Sequence, residues 1–461
     1  MALKYPSLRF ETSGMIMKPA RLQAPPILRL RFLTWRRFSI SKISALVSQG
    51  SQVPEFAVIK KIKVESLKPG IFVHDLNSGW LHHPFLRNKI RIETEADVEK
   101  ILEYQIREVY IDTEKGLDID DAPTQQEVAA EIQTEIDKVP APVKKESRRP
   151  LQDELARAKR LIGEAKKTTR RLMDDVKLGK QIDVVQVEII VDKLTHSVLN
   201  NKDALISLVR IKQKDEYTYM HSLAVSALCI SFAQHLGLDA AKTKQIGIGG
   251  LLHDFGKVKI PLEVLTKPGP LTEKEFEVMK KHVEHGECIL RQLTRIDESS
   301  IRVTADHHER LDGTGYPQGL RGDQISLFGQ MAAIVDIYDA LTAERCYKNS
   351  MPPTEALKKI FEWSDGYLNR QLVEQFIAHV GIYPIGTLVR LRSGFVGAVV
   401  DHGEKGLLYP IVRVLFDKRR ARLLRPFNVD LSKKALSGES DEVVGCESPA
   451  RFGINPYSYL S

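Results

Sequence analysis

Seven of the 13 histidines in this chain fall in the 88 residues from His221 to His308, and several stand beside an acid or beside each other. The residues that could hold metal are His221, the His253-Asp254 pair, His282, the His307-His308 doublet and, further along, Asp336. Imidazole and carboxylate without thiolate suit iron, manganese or zinc. Consecutive side chains on a helix diverge by ~100°, so neither the His-Asp pair nor the His-His doublet closes easily on one ion. Each pair readily serves two adjacent ions. Two metals ~3.5–4 Å apart form a hydrolytic arrangement, with a hydroxide between them attacking phosphorus while both ions stabilise the phosphoryl oxygens. A lone buried histidine is usually structural, and His74, His82, His83, His196, His235, His379 and His402 are read that way. Between His282 and His285, His282 is preferred. It lies one turn before Gly286, where a missing side chain lets another helix or a metal cluster approach.

These residues need a scaffold, and from Leu151 to about His379 nearly everything reads as helix. Apolar positions recur at three- and four-residue spacing through Leu155…Leu161, Val184…Leu194 and Leu205…Ile211. Thr272-Glu-Lys-Glu275 is a capping box that starts a helix with Phe276, Met279 and Val283 on one face. Ahead of this region, Val58–Val64 and Glu108–Asp112 read as strands around a short amphipathic helix at Glu95–Tyr104. Beyond Tyr383, Thr387–Leu391, Val396–Val400 and Ile411–Phe416 are short β-rich runs. The expected class is mainly α, a helical bundle with a small α+β N-terminal domain and a β-rich C-terminal appendage. The expected segments are a basic, disordered extension over 1–57, the α+β domain over 58–115 and a linker over 116–150 with one helical stretch at Gln125–Ile136. The helical domain at 151–383, the β appendage at 384–432 and a loose tail over 433–461 complete the chain.

Composition narrows the class. Hydrophobic residues make up 43% and charged residues 28%, values of a globular chain. Of the net charge of +8, most comes from residues 1–57, which hold nine basic and two acidic side chains. A basic arm is not the basic face of a folded nucleic-acid-binding domain, so no nucleic-acid partner is expected. The arm is broken by Arg29, Arg31, Arg36 and Arg37, which excludes the apolar core of a secretory signal; contact with an anionic surface is the second reading of it. The longest apolar run, Ser222–Ala233, is too short to span a membrane. Four cysteines without a CxxC pair fit a reducing compartment, and the expected location is the cytoplasm.

His253-Asp-Phe-Gly-Lys257 and His307-His308-Glu-Arg-Leu-Asp-Gly-Thr-Gly-Tyr-Pro317 resemble the two defining motifs of the HD-GYP family, within the HD superfamily of metal-dependent phosphohydrolases. The likeness extends through Tyr217-Thr-Tyr-Met-His221-Ser, Lys267-Pro-Gly-Pro-Leu-Thr272 and Val335-Asp336-Ile-Tyr-Asp339-Ala-Leu-Thr342, and covers about 200–390. Residues 58–115, with His83-Pro-Phe85 and Val109–Gly116, resemble a short domain often found ahead of HD-GYP. The resemblance implies an HD-type bundle hydrolysing cyclic di-GMP to pGpG, or onward to GMP, with His221, His253, Asp254, His282, His307, His308 and Asp336 as metal ligands. It implies catalytic roles for Asp254 and Lys257. It places Lys257, Gly315, Tyr316, Pro317, Asp339, Arg345 and Lys348 at the substrate. Some family members carry a Glu four residues before the first His as ligand to a third ion; Tyr217 stands here, so two ions, iron or manganese, are expected.

Elementary chemistry agrees with these roles. A cyclic dinucleotide carries two phosphates, so cations such as Lys257, Arg345 and Lys348 belong near the metals. Gly313, Gly315 and Pro317 make a tight loop where backbone approaches a ligand closely. Two other readings remain: a non-catalytic cyclic di-GMP sensor or docking module, and an HD hydrolase for another cyclic dinucleotide or nucleotide. Diguanylate cyclase (GGDEF) proteins are candidate partners, and oligomerisation is left open.

Overall fold

The first sheet is built from β1 (Ile59–Lys63), β2 (Phe72–Asp75), β3 (Ile90–Arg91) and β4 (Glu108–Asp112), all pairs antiparallel in the order β1-β4-β2-β3. Helix α1 (Glu95–Glu103) lays Val98 and Ile101 against Val73, Val109 and Ile111 of this sheet. In this computed structural model the described residues are 58–78, 89–140, 147–210, 217–343, 351–403, 408–433 and 441–460. The extension expected over 1–57, His82, His83, and the two cations Arg345 and Lys348 lie outside them.

The stretch expected as a linker is partly structured. Helix α2 (Gln125–Asp137) starts at a capping box, with Thr124 Oγ1 accepting from Glu127 N and the Glu127 carboxylate accepting from Thr124 N. Its Ile136 is 2% exposed and joins the main core with Phe361 and Trp363. One apolar helix face is enough to dock a charged segment, and the overall polarity of 116–150 concealed it.

The long helices α3 (Leu151–Lys177) and α4 (Val184–Val209) pair along Ala158, Ile162, Leu172 and Val176 against Val187, Ile190, Leu194 and Val198. Next come α5 (Tyr217–His235), α6 (Ala240–Leu252), α7 (Leu262–Leu265), α8 (Glu273–Lys280), α9 (His282–Arg291) and α10 (Glu298–Asp306). The bundle ends with α11 (Leu327–Thr342), α12 (Pro353–Trp363) and α13 (Arg370–Val380). Helix α5 is the central rod. From Met220 to Ala233 every residue is buried, with α3, α4, α6, α11 and α13 around it. The apolar run Ser222–Ala233 is therefore core, and no helix among the described residues is long and apolar enough to cross a membrane.

The C-terminal sheet is β5 (Leu388–Leu391), β6 (Phe395–Asp401), β7 (Ile411–Asp417), β8 (Arg422–Asp430) and β9 (Val443–Cys446), antiparallel in the order β8-β7-β6-β5-β9. The tail expected to be loose after 432 instead supplies an edge strand, β9, and Leu460, 2% exposed, packs in the same core. Strand β8 was hidden by its basic run and Pro426; it is the other edge, where charge and proline are tolerated.

Candidate metal centre

Five chain segments deliver the site. His221 comes from the buried face of α5, and His253-Asp254 from the turn that ends α6. His282 opens α9, His307-His308 follow α10, and Asp336 lies midway along α11. Each of these seven residues is at most 4% exposed. Their donor atoms fall into three overlapping groups, each drawn within 4.8 Å: His221, His253 and Asp336; His253, Asp254 and His307; His282, His307 and His308.

Asp254 joins the groups. Its Oδ2 lies 3.5 Å from His221 Nε2 and 3.4 Å from His253 Nε2, while its Oδ1 lies 3.5 Å from His282 Nε2. One carboxylate thus turns an oxygen toward each set of histidines.

Three rings are aimed by the backbone. The Nδ1 atoms of His253, His282 and His307 lie 2.8 Å from the carbonyl oxygens of Gly250, Met279 and Thr304, each three residues back. An Nδ1–H donated there leaves the Nε2 lone pair pointing inward, the tautomer a metal requires. His253 Nε2, His282 Nε2, His307 Nε2 and Asp254 Oδ1 are buried with no hydrogen-bond partner among the described residues. Orphaned buried acceptors are costly unless something else satisfies them. Converging nitrogen and carboxylate donors fit divalent cations of the iron, manganese or zinc class.

Electrostatics keep His282 and His307 neutral, while the acids around His221 draw positive charge to that ring. Burial, reinforced by Lys257, pushes His282 down to about 3, and burial with His253 pushes His307 down to about 4, so both rings are neutral. Burial also works against a charged His221, but hydrogen bonds to Asp254, Asp336 and Asp339 outweigh it and raise that ring to about 10. Burial opposes ionisation of Asp254 and Asp336 as well. Lys257 and His253 at Asp254, and His221 at Asp336, hold both carboxyls well below the usual range.

Backbone proximity explains two glycines. A Cβ on Gly256 would sit 1.8 Å from His282 O and 2.5 Å from Gly286 N. The turn after His253-Asp254 therefore presses directly on the start of α9, which brings the two ligand segments together. Gly286 leaves room for Thr304, whose Cγ2 would lie 2.8 Å from a Cβ there. His285 faces the other way, half-buried, lining a separate cavity with Cys288 and Gln292. Gly315 is equally constrained, since its Cβ would lie 2.4 Å from both Arg310 N and Glu309 Cα.

The loop after the histidine doublet folds back on it. Tyr316 N donates to His308 O at 3.1 Å, and the Tyr316 ring stacks on the His308 ring with centroids 4.7 Å apart. The Tyr316–Pro317 bond is cis. Lys257 Nζ lies 2.5 Å from Asp254 Oδ2, and its side chain is 22% exposed, so it stands at the mouth of the site.

Asp339 requires a correction. Grouped with the substrate residues from sequence, it is 1% exposed and lies behind His221, its Oδ2 2.6 Å from Nδ1. One turn after Asp336 on α11, its carboxylate faces the His221 imidazole. Sequence reasoning also passed over Glu309, 3% exposed, whose carboxylate accepts from Gln318 N at 2.7 Å and Leu320 N at 3.0 Å. It missed Lys280 as well, whose ammonium lies 5.9 Å from the Tyr316 ring centre. Glu309 stands inside the quoted motif and was legible; nothing local marks Lys280.

Residues 59–187 match the family described as a domain of unknown function, DUF3391, and residues 185–372 match the HD domain family. The first match runs through the 116–150 stretch and includes α3. A cyclic di-GMP phosphodiesterase of Pseudomonas aeruginosa is 39% identical over 391 residues, covering 85% of this chain and 92% of that protein. A 3'3'-cGAMP-specific phosphodiesterase of Vibrio cholerae is 37% identical over 169 residues, 36% of this chain and 39% of that protein. Among solved structures, an HDG"Y"P protein from Bdellovibrio bacteriovorus aligns with a TM-score of 0.42 at 22% identity, covering 69% of this chain and 98% of that one. With such identity across nearly the full length of one relative, and an HD match spanning every candidate ligand, the chain belongs to the HD-GYP family of cyclic di-GMP phosphodiesterases, here with a DUF3391 domain ahead of the HD domain.

Proposed function

We propose that this chain hydrolyses cyclic di-GMP to linear pGpG, or onward to GMP, with two iron or manganese ions. The observation that carries the reading is Asp254, whose two oxygens face two separate histidine sets. His221, His253 and Asp336 would hold one ion, His282, His307 and His308 the other, and Asp254 both. When bound, such a pair of ions activates water at neutral pH and neutralises charge on the phosphodiester.

The protein's own groups do the rest. The backbone carbonyls behind His253, His282 and His307 keep each Nε2 available, so the rings need no reorientation. Lys257, at the mouth, can exchange its contact with Asp254 for a substrate phosphate. Tyr316, pinned by its stacking on His308, offers an aromatic wall to a guanine base. Gly315 and Pro317 shape that wall, and Arg345 and Lys348, shortly after α11, supply phosphate contacts beyond the ions. In this reading the enzyme acts in the cytoplasm, with diguanylate cyclases as the source of substrate.

A second reading is favoured by one observation: relatives specific for 3'3'-cGAMP share 35% to 39% identity over about a third of this chain. The 39% identity across 85% of the chain weighs for cyclic di-GMP. Replacing Asp254 by Ala tests the site: turnover should vanish and metal content fall while the helical signal persists. An active Asp254→Ala enzyme would place the chemistry elsewhere.

A further inference from the structure

The N-terminal domain touches the active-site loop. Arg107, the residue just before β4, places Nη2 2.9 Å from Asp312 Oδ2, in the loop between the histidine doublet and Tyr316. The Asp312 carboxylate is 5% exposed, and Oδ2 has no aligned hydrogen bond among the described residues, so the contact is ionic. The other oxygen, Oδ1, accepts from Thr314 N at 3.0 Å and Thr314 Oγ1 at 2.7 Å, which shapes the turn into Gly315. The Arg107 guanidinium also lies 5.7 Å from the ring centre of Tyr367, whose carbonyl accepts from Leu311 N at 3.1 Å. One arginine from outside the bundle thus meets both the loop and the residue beneath it.

A second contact holds that domain in place. Glu362 on α12 pairs with Lys61 of β1 at 3.0 Å and accepts from Tyr110 of β4 at 2.8 Å and from Asn77 at 3.0 Å. The neighbouring Trp363 donates to Asn77 O at 2.9 Å and also lines a small cavity with His307 and His308. A buried, multiply bonded polar cluster fixes orientation more strongly than area alone. Arg107 is therefore presented to Asp312 from a fixed base.

We propose that Arg107 is a positioning residue for substrate binding: by neutralising Asp312 it holds the loop that carries Tyr316, so the DUF3391 domain completes the active site of the HD domain. This rests on the proposed hydrolysis of a cyclic dinucleotide and extends it to a residue outside the HD domain. It also gives the N-terminal domain a route to activity, since any displacement of β4 reaches the substrate loop directly.

The test uses the full metal-loaded chain with Arg107→Ala and Arg107→Lys. The Arg107 side chain is 53% exposed, so melting temperature and metal content should stay at wild-type values. KM for cyclic di-GMP should rise roughly three- to tenfold in Arg107→Ala with kcat within about twofold, the signature of lost binding rather than lost chemistry. Arg107→Lys should recover part of the KM, since it keeps the charge but not the fork. Independently of substrate, the amides of Leu311, Gly313 and Tyr316 should exchange faster with solvent hydrogen in Arg107→Ala. Should the wild-type protein fail to hydrolyse cyclic di-GMP, the functional reading falls while faster exchange still supports the positioning role. Unchanged exchange in Arg107→Ala, or an unchanged KM in an active enzyme, overturns the proposal. So does a loss of kcat, KM and melting temperature in parallel, which would make Arg107 ordinary scaffolding.

Discussion

Asp339 and Asp336 grip the two nitrogens of one imidazole: Asp339 Oδ2 lies 2.6 Å from His221 Nδ1, and Asp336 Oδ1 lies 3.0 Å from Nε2. Three residues apart on α11, the two acids share a helix face, so in the proposed centre one helix would supply both a metal ligand and the carboxylate that aims His221. Asp339→Asn should weaken metal affinity by roughly 10- to 100-fold, the usual effect of removing a carboxylate behind a ligating histidine. Competition with a chelator measures this without an activity assay. Wild-type affinity in Asp339→Asn would show that the carboxylate does not orient His221.

Gly256 tests the packing that joins two ligand segments. A Cβ there would meet His282 O at 1.8 Å, a backbone atom that cannot rotate away. Gly256→Ala should cost about 3 kcal/mol or more, at or above the upper end of ordinary overpacking. Urea unfolding and metal content should decline together. A fully stable Gly256→Ala protein would mean that the turn and α9 separate easily.

How much of this was legible in the sequence follows from where the information lay. The candidate ligands stood out because histidine and aspartate recur as adjacent pairs, and α3 and α9 carry plain 3.6-residue periodicity, whereas α5 is apolar all round and reads only as a buried run. The capping box at Thr272 reads directly from four letters, and Glu275 does accept from Thr272 N at 2.6 Å. Asp339 was misplaced because one-dimensional spacing cannot say which side of an imidazole an acid occupies. Strand β9 is only four residues long, and its partner β5 lies about 50 residues earlier, a pairing that local pattern cannot reveal. The contact of Arg107 with Asp312 spans two domains and left no local trace.

The Glu362 cluster gives a pH expectation. Burial alone would raise this carboxyl; Lys359, Lys61 and Tyr110 outweigh burial and hold it below its ordinary value. A carboxylate depressed in the folded state adds stability above its unfolded pKa and loses it as pH falls through the folded one. Its contribution should therefore be complete above about pH 5 and decline below about pH 4. Glu362→Gln should be less stable at pH 7 and show a shallower loss between pH 5 and 3, read from urea midpoints. An identical acid slope in both proteins would exclude Glu362 as a source of that dependence.

Arg345 separates substrate binding from metal binding. A charge-assisted contact to phosphate contributes ~1.5–3 kcal/mol, so Arg345→Ala should lower kcat/KM roughly 10- to 150-fold. Metal occupancy should not change, and Arg345→Lys should restore only part of the activity. Full activity in Arg345→Ala would reduce the arginine to a solvent-exposed charge and leave recognition to the Gly315-Tyr316-Pro317 loop.

The proposed centre would hold two metal ions around Asp254 and serve the hydrolysis of cyclic di-GMP. The most direct measurement offers cyclic di-GMP and 3'3'-cGAMP side by side to anaerobically purified protein reconstituted with iron or manganese, resolving products by chromatography and metal by elemental analysis. About two ions per chain, with pGpG or GMP formed from cyclic di-GMP at the higher kcat/KM, is the predicted result. Protein that holds two ions yet leaves cyclic di-GMP intact, or that turns over 3'3'-cGAMP preferentially, would contradict it.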